Sequence, residues 1–401
     1  MLTFIDLFSG IGGFRRGMEL AGHKCVGFCE FDKFAVISYI MMHLATPGQI
    51  NAISNISDIK KRQKELAKEE YRNGEWYAND IRSVDAGSMP RADCWCFGFP
   101  CQDISIAGNC VGFKGRRSSL FFAVTGIIRD IPKEDRPTYL FIENVKNLLS
   151  VNGGFDFARV LIELDEIGYD AEWDVLNSKN FGVPQNRERV FIVGHFRGRS
   201  TRKVFPIRET DRVHNTTGGN DKWQGDYIVK QIANLEPDKR FKNKQTGRVY
   251  SPEGLAPALD TCSGGGHEPK VAIPVSGVDR IKKRQNGRRF KENGEEMFTL
   301  TVQDRHGVAV SGLYTQCSKE FQRSPLKNLS RCLKSEKHDA GVFDGMRIRR
   351  LTPKECFRLQ GWEDDYFERA AMVNSDSQLY KQAGNGVTVN VIHEIAVRLN
   401  K

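Results

Sequence analysis

Three short stretches carry side chains able to act as nucleophile, acid and anion holder. In the first, an apolar run, Cys94-Trp95-Cys96-Phe97, leads into Gly98-Phe99-Pro100-Cys101-Gln102. Gly and Pro break regular structure, so Cys101 stands where a strand opens into a loop, a place from which a nucleophile is readily presented. By residue type alone a free cysteine is usually a small buried hydrophobe, so its surroundings must decide. In the second stretch, the strand-like run Pro137–Ile142 ends in Glu143-Asn144-Val145. In the third, Gln185-Asn186-Arg187-Glu188-Arg189 precedes the strand Val190–Gly194. Parallel strands place their C-terminal ends on one rim, so a strand-end cysteine and a strand-end glutamate can serve a single site.

The elements that must position these groups follow from the flanking sequence. The loop from Gln102 to Arg117 contains Gly108, Gly112 and Gly115 together with Lys114, Arg116 and Arg117. A long, glycine-punctuated basic loop reads as a lid that closes over a polyanion. At the N-terminus a strand, Leu2–Phe8, meets Ser9-Gly10-Ile11-Gly12-Gly13-Phe14 and then a helical pattern to Ala21. Strand, glycine turn and helix N-terminus form a nucleotide-type cofactor site, because backbone can approach the ligand and free N–H groups face it. No Gly-Lys-Ser/Thr closes a P-loop, and the glycine spacing differs from that of dinucleotide sites. A nicotinamide oxidoreductase would rest on this turn alone. A second strand, Lys24–Cys29, ends in Glu30, which suits a ribose diol.

Composition narrows the class. A chain of 401 residues can hold two domains, or one with a large insertion. No run of eighteen apolar residues predicts a membrane span, and the start lacks the pattern of a signal peptide, so a cytoplasmic location is expected. The ten cysteines show no repeated spacing. Cys94-x-Cys96 and Cys25-x3-Cys29 lack a matching second pair, so reduced thiols are expected and no metal site. The net charge of +10 is uneven: residues 195–350 hold 31 Lys and Arg against 18 Asp and Glu, a surplus of 13 that leaves −3 for the remainder. A basic middle on a near-neutral frame points to nucleic acid.

Gly98-Phe99-Pro100-Cys101-Gln102-Asp103-Ile104-Ser105 resembles the catalytic motif of the cytosine-C5 DNA methyltransferases, and five further stretches resemble that family in order. The resemblance implies an α/β, Rossmann-like S-adenosylmethionine-dependent methyltransferase fold, with a mostly parallel sheet and helices on both faces. A smaller, irregular β-rich target-recognition domain accompanies it. It implies that Cys101 adds to C6 of a flipped-out cytosine in duplex DNA and that Glu143 bonds at N3 and the amino group. Pro100 and Asn144 flank these two residues; Arg189 reaches O2 of the base and Arg187 the catalytic pocket. The cofactor, leaving as S-adenosylhomocysteine, would meet Phe8, Gly10, Ile11, Gly12, Gly13, Glu30, Phe31, Asp80, Ile81, Pro100, Leu120, Asn385 and Val387, with Asp80 accepting from the adenine amino group. Ser105 and Arg117 would meet phosphates, and Arg284, Arg288, Arg289 and Arg305 the DNA of the recognition segment.

The same resemblance sets expected boundaries. Residues 1–195, completed by 382–401, form the catalytic domain; 196–347 form the recognition domain; 348–381 form a hinge with a support helix opened by Thr352-Pro353. Residues 45–77 read as an insertion whose charged run, Lys60 to Arg72, is a solvated surface helix. The segment from Gln382 is expected to lead one helix to Leu399 that folds back on the first strand. A monomeric bacterial or phage enzyme is expected, with a cognate restriction endonuclease as the partner such systems use. Two competing readings are RNA cytosine methylation and a catalytically silent DNA-binding regulator; the large basic segment and the intact Cys101, Glu143 and Arg189 speak against them.

Overall fold

The computed structural model describes residues 1–99, 120–207, 229, 231–234, 248–250, 255–259, 270–274, 312–315, 340–343 and 346–399. Cys101, Pro100, Ser105, Arg117, Arg284, Arg288, Arg289 and Arg305 lie outside them, as does the expected lid. Contacts divide the chain into two compact units. One comprises Met1–Gln224, Pro257–Ser263 and Pro353–Lys401; the other comprises Gly225–Ala256 and Gly264–Thr352.

The first unit is built on a seven-stranded sheet. Its strands are β1 (Thr3–Leu7), β2 (Lys24–Cys29), β3 (Trp76–Ala78), β4 (Cys94–Gly98), β5 (Tyr139–Val145), β6 (Tyr169–Asn177) and β8 (Glu188–Phe196), with β7 (Gln185–Asn186) a short strand apart from it. The order is β3-β2-β1-β4-β5-β8-β6. The first five run parallel, while β8 is antiparallel to both β5 and β6. Cys94–Phe97 is buried throughout, as expected of a parallel strand covered on both faces. Chain order reverses between β1 and β4, so the crevice beyond their C-terminal ends is the topological switch point where such sheets bind ligands.

Helices α1 (Gly13–Leu20) and α10 (Val389–Leu399) pack together on the face that carries Phe4, Phe141, Phe191 and Val193. On the opposite face α5 (Leu120–Asp130) and α6 (Phe155–Glu166) cover Ile5, Leu7, Trp95, Phe97, Leu140 and Ile142. The motif from Gln382 to Val387 closes α9 (Asp376–Asn385) and leads into α10, which runs to Leu399 as expected. Its return is onto α1 more than onto β1. The reason is local, since Gly17 of α1 has no Cβ and a methyl there would lie 2.6 Å from Ile392.

The insertion is more than a solvated helix. After α2 (Lys33–Tyr39) the chain tightens into a π-helical turn, Ile40–Leu44, and continues through α3 (Pro47–Ser54) and α4 (Ile59–Leu66). Ile53, Leu66 and Tyr71 join a buried cluster with Phe28, Tyr39 and Val373. Arg62 and Gln63 donate to the carbonyls of Met372 and Val373 at 2.8 and 2.7 Å. Helices α7 (Pro353–Leu359) and α8 (Asp364–Ala371) likewise belong to this unit and not to a separate hinge.

In the second unit a four-stranded sheet runs Met346–Arg350, Lys270–Pro274, Arg248–Tyr250, Gln231–Asn234, and Gly312–Thr315 pairs with Ala340–Phe343.

Candidate active site

The switch-point crevice begins at the turn after β1. Phe8 and Gly10 have φ of 52° and 55°, and Gly12 has 86°, so the chain doubles back on itself before α1 starts. Gly12 must also lack a side chain, because a Cβ there would meet His43 Nε2 at 2.4 Å. A Cβ on Gly13 would meet Val387 Cγ2 at 2.7 Å, so the first and last sequence motifs touch at this point. Ile11 is buried, and its carbonyl accepts from His43 Nε2 at 2.9 Å.

Glu30, just past β2, is fixed beside the turn. Its Oε2 accepts from the Gly10 N–H at 2.8 Å and its Oε1 from the Asp32 N–H at 2.7 Å. Burial pushes this carboxyl above the usual range, and the two N–H groups oppose the shift. One lone pair on each oxygen is left for a ligand hydroxyl. Phe31 beside it is 68% exposed, an open aromatic face at the mouth. Ile81 is buried in the core below, and Leu120 opens α5. Both oxygens of Asp80 accept from Arg82, with the closest approach 2.6 Å, and this pair holds its carboxyl below the usual range. Asn385 is the last residue of α9, and Val387 lies in the link to α10.

One strand further along the rim, Glu143 sits near the end of β5 opposite Gly98 of β4. A Cβ on Gly98 would lie 3.1 Å from Glu143 Oε2, so the glycine makes room for the carboxylate. Glu143 Oε1 is 3.0 Å from Arg189 Nε. Asn144 is buried; its Oδ1 accepts from the Val145 N–H at 2.9 Å, while Nδ2 finds no partner among the described residues. Gly98 closes β4 beside Glu143, so the C-terminal ends of β4 and β5 lie side by side on one rim.

Arg187 goes elsewhere. It is 4% exposed, and its guanidinium donates to the carbonyls of Leu259, Gly384 and Gly386 at 2.9, 3.1 and 2.9 Å. It ties the third motif to the turn after α9. Gln185 does similar work, donating to Leu359 O at 2.7 Å and accepting from Leu259 N–H at 3.2 Å.

Sequence reasoning passed over His43 and the steric role of Gly98. His43 is a lone histidine in an apolar run with no motif around it. The signal for Gly98 was present, a glycine at the end of a buried strand, and was read as a break alone.

A family model described as C-5 cytosine-specific DNA methylase matches residues 2–401. The orphan methyltransferase M.SPBetaI of Bacillus phage SPbeta is 30% identical, with 98% of this chain and 96% of that protein covered. The type II methyltransferase M2.ScrFI of Lactococcus lactis subsp. cremoris is 27% identical, with 100% and 99% covered. Among solved structures, S. pombe Dnmt2 methyltransferase matches with a TM-score of 0.55 at 14% identity, covering 100% of this chain and 98% of its own. The Entamoeba histolytica methyltransferase EhMeth matches with 0.56 at 15%, covering 100% and 98%; at these identities the likeness speaks for the fold. No helix among the described residues is long and apolar enough to cross a membrane. By the match along its whole length, the chain belongs to the C-5 cytosine-specific DNA methylase family and is a DNA cytosine-5-methyltransferase.

Proposed function

We propose that the enzyme transfers a methyl group from S-adenosylmethionine to C5 of a cytosine flipped out of duplex DNA, through a transient bond between Cys101 Sγ and C6. The observation that carries this reading is the Glu143–Arg189 pair on the β5 rim, one strand from the β4 end that leads to Cys101.

The residues around the β1 turn fit the cofactor. Glu30 is pre-oriented with lone pairs left for two ribose hydroxyls, Phe31 and Ile81 offer apolar surface to adenine, and Gly10, Gly12 and Gly13 let the turn come close. Asp80, its carboxylate held by Arg82, accepts from the adenine amino group. Bound there, S-adenosylmethionine supplies an electrophilic methyl group and leaves as S-adenosylhomocysteine.

Cytosine C5 is a poor nucleophile until electrons are pushed into the ring. The Cys101 thiolate adds to C6 and supplies them. Glu143 bonds at N3 and the amino group, and Arg189 steadies O2, where charge develops. After methylation a base, a water or a side chain, takes the C5 proton; the C5–H electron pair re-forms the C5–C6 double bond as the C6–S bond breaks and its pair returns to the Cys101 thiolate. Arg187 acts as a positioning residue. The ring faces are hidden in a stacked duplex, so the base must leave it, at a cost of a few kcal/mol. Ser105, Arg117, Arg284, Arg288, Arg289 and Arg305 supply phosphate and base-edge contacts. The enzyme acts as a monomer in host modification or restriction protection, with a cognate endonuclease as partner in the latter.

Bisulfite sequencing of plasmid DNA from cells expressing the chain, beside a Cys101→Ala control, tests this. Protected cytosines at one recurring short site, absent from the control, are expected. Absence of protection in both, with folded protein, would overturn the DNA-methylating reading; equal protection in the control would overturn the thiolate step.

A further inference from the structure

The insertion at 45–77 has no part in the chemistry above, yet it builds a concavity. A pocket of about 350 Å³ lies between α2, α4 and β3. Its floor is apolar, with Val36 and Ile37 from α2, Ile40 from the turn that follows it and Tyr77 from β3. Its wall is cationic: Lys33, Lys60, Lys64 and Arg72 line it, and no carboxylate does. Lys60 and Lys64 lie on one face of α4, one turn apart.

A charge run on a helix is most often a solvated face, but three observations set this one apart. First, none of the four cations has a carboxylate partner among the described residues. The carboxylates nearby are engaged elsewhere, Asp32 with Lys381 at 2.5 Å and Glu65 with Lys68 at 2.7 Å. Second, Arg72 Nε is buried with no hydrogen-bond acceptor, while its guanidinium carbon lies 4.6 Å from the Tyr77 ring centroid. The ring thus holds the guanidinium in place at the pocket edge. Third, α4 is held firmly, since Arg62 and Gln63 bond to backbone carbonyls of 372 and 373. The pocket is therefore preformed, and its size suits a small ligand.

We propose that this pocket is a second binding site, for a nucleoside polyphosphate. The aromatic base lies on the Ile37–Tyr77 floor, and the phosphates meet the ammonium groups of Lys33, Lys60 and Lys64 and the charge of the Arg72 guanidinium. The Tyr77 hydroxyl lies 3.2 Å from Asn79 Oδ1 and 3.4 Å from the Glu30 carbonyl, so the pocket floor adjoins the strand end that carries Glu30.

The test is calorimetric titration of the full chain with ATP in the presence of saturating S-adenosylhomocysteine, with tripolyphosphate and adenosine titrated in parallel. One ATP per chain is expected, bound more tightly than tripolyphosphate or adenosine. Lys60→Glu with Lys64→Glu should weaken ATP by about tenfold or more and leave the unfolding temperature unchanged, since both side chains are exposed. Glu30→Ala should leave ATP binding intact, which separates this site from the cofactor site whether or not that site takes S-adenosylmethionine. The proposal is overturned if ATP gives no binding at millimolar concentration, if the double variant binds it equally, or if Glu30→Ala abolishes binding. It is also overturned if a short DNA duplex displaces ATP and loses affinity in the double variant by the same factor, which would assign the cations to the DNA backbone.

Discussion

Arg189 Nε lies 3.0 Å from Glu143 Oε1, diagonally across the β5–β8 pair, in which Glu143 faces Phe191 and Val145 faces Arg189. Antiparallel register sends both side chains out of the same face. Both are mostly buried, at 18% and 13% exposure for Arg189 and Glu143, so the guanidinium fixes the carboxylate's orientation before any base arrives. Glu143→Gln keeps the shape and loses the charge. The methylation rate constant should fall by ~10²–10³, with DNA affinity and unfolding temperature retained. A variant that methylates at the parent rate would remove Glu143 from the chemistry.

Gly98 is the other wall of this pocket. With Cβ 3.1 Å from Glu143 Oε2, Gly98→Ala must push the carboxylate aside. The shift needed is a few tenths of an ångström, a fraction of the about 1 Å misplacement that costs on the order of 10²-fold, so a loss well below that is expected. The expected outcome is a slower enzyme whose denaturation midpoint moves little. Parent-like turnover in single-turnover assays would show that the carboxylate has slack.

Arg187 and Arg189 are two residues apart and should fail differently. Arg187 is buried and holds three carbonyls, so Arg187→Met leaves buried acceptors unmet and should cost roughly 3 kcal/mol of stability. Arg189→Met should cost little stability and much activity. Urea denaturation of the two variants distinguishes these roles; equal midpoints would contradict them.

The contrast between these arginines marks the limit of what the sequence discloses. β2 was legible to the residue, bounded by Gly22 and the acidic Glu30, and β4 nearly so, because the continuous apolar run Cys94–Phe97 stops at Gly98 and Pro100. Glu30, Glu143 and the glycine turn were legible because chemistry and local structure coincide there. The direction of the Arg187 side chain was not, because its partners are up to 199 positions away and leave no local pattern. The same holds for α4, whose anchors lie 310 residues on.

Asp6 gives a pH prediction. It is fully buried on β1, accepts only from the Arg15 N–H at 3.3 Å, and its Oδ1 has no partner among the described residues. Burial raises its carboxyl well above the usual range. The folded state therefore holds a proton that the unfolded chain releases above about pH 4. The stabilisation is complete below that value and is lost as pH rises toward the folded pKa. Asp6→Asn should remove this fall, so the variant gains on the parent as pH increases. Unfolding temperatures from pH 4.5 to 8 check it; parallel curves would mean Asp6 is ionised in the fold.

His43 should give the opposite slope. It sits on the π-helical turn among Tyr39, Trp362 and Tyr366. Burial and the nearby Arg15, Arg16 and Arg369 lower its pKa well below the usual value. Its ring is neutral, and with the Ile11 carbonyl as acceptor the proton must be on Nε2. The unfolded chain takes up a proton below about pH 6.5 that the folded ring refuses, so this part of the stability is lost as pH falls from there. His43→Leu abolishes that loss but also frees the Ile11 carbonyl, and the turn that Glu30 and Gly10 share should loosen. S-Adenosylmethionine binding is expected to weaken by about tenfold, while DNA affinity holds. His43→Gln can donate from nearly the same place and should restore most of the binding without restoring the acid sensitivity. If leucine and glutamine weaken binding equally, ring packing against Gly12, and not the hydrogen bond, sets the turn.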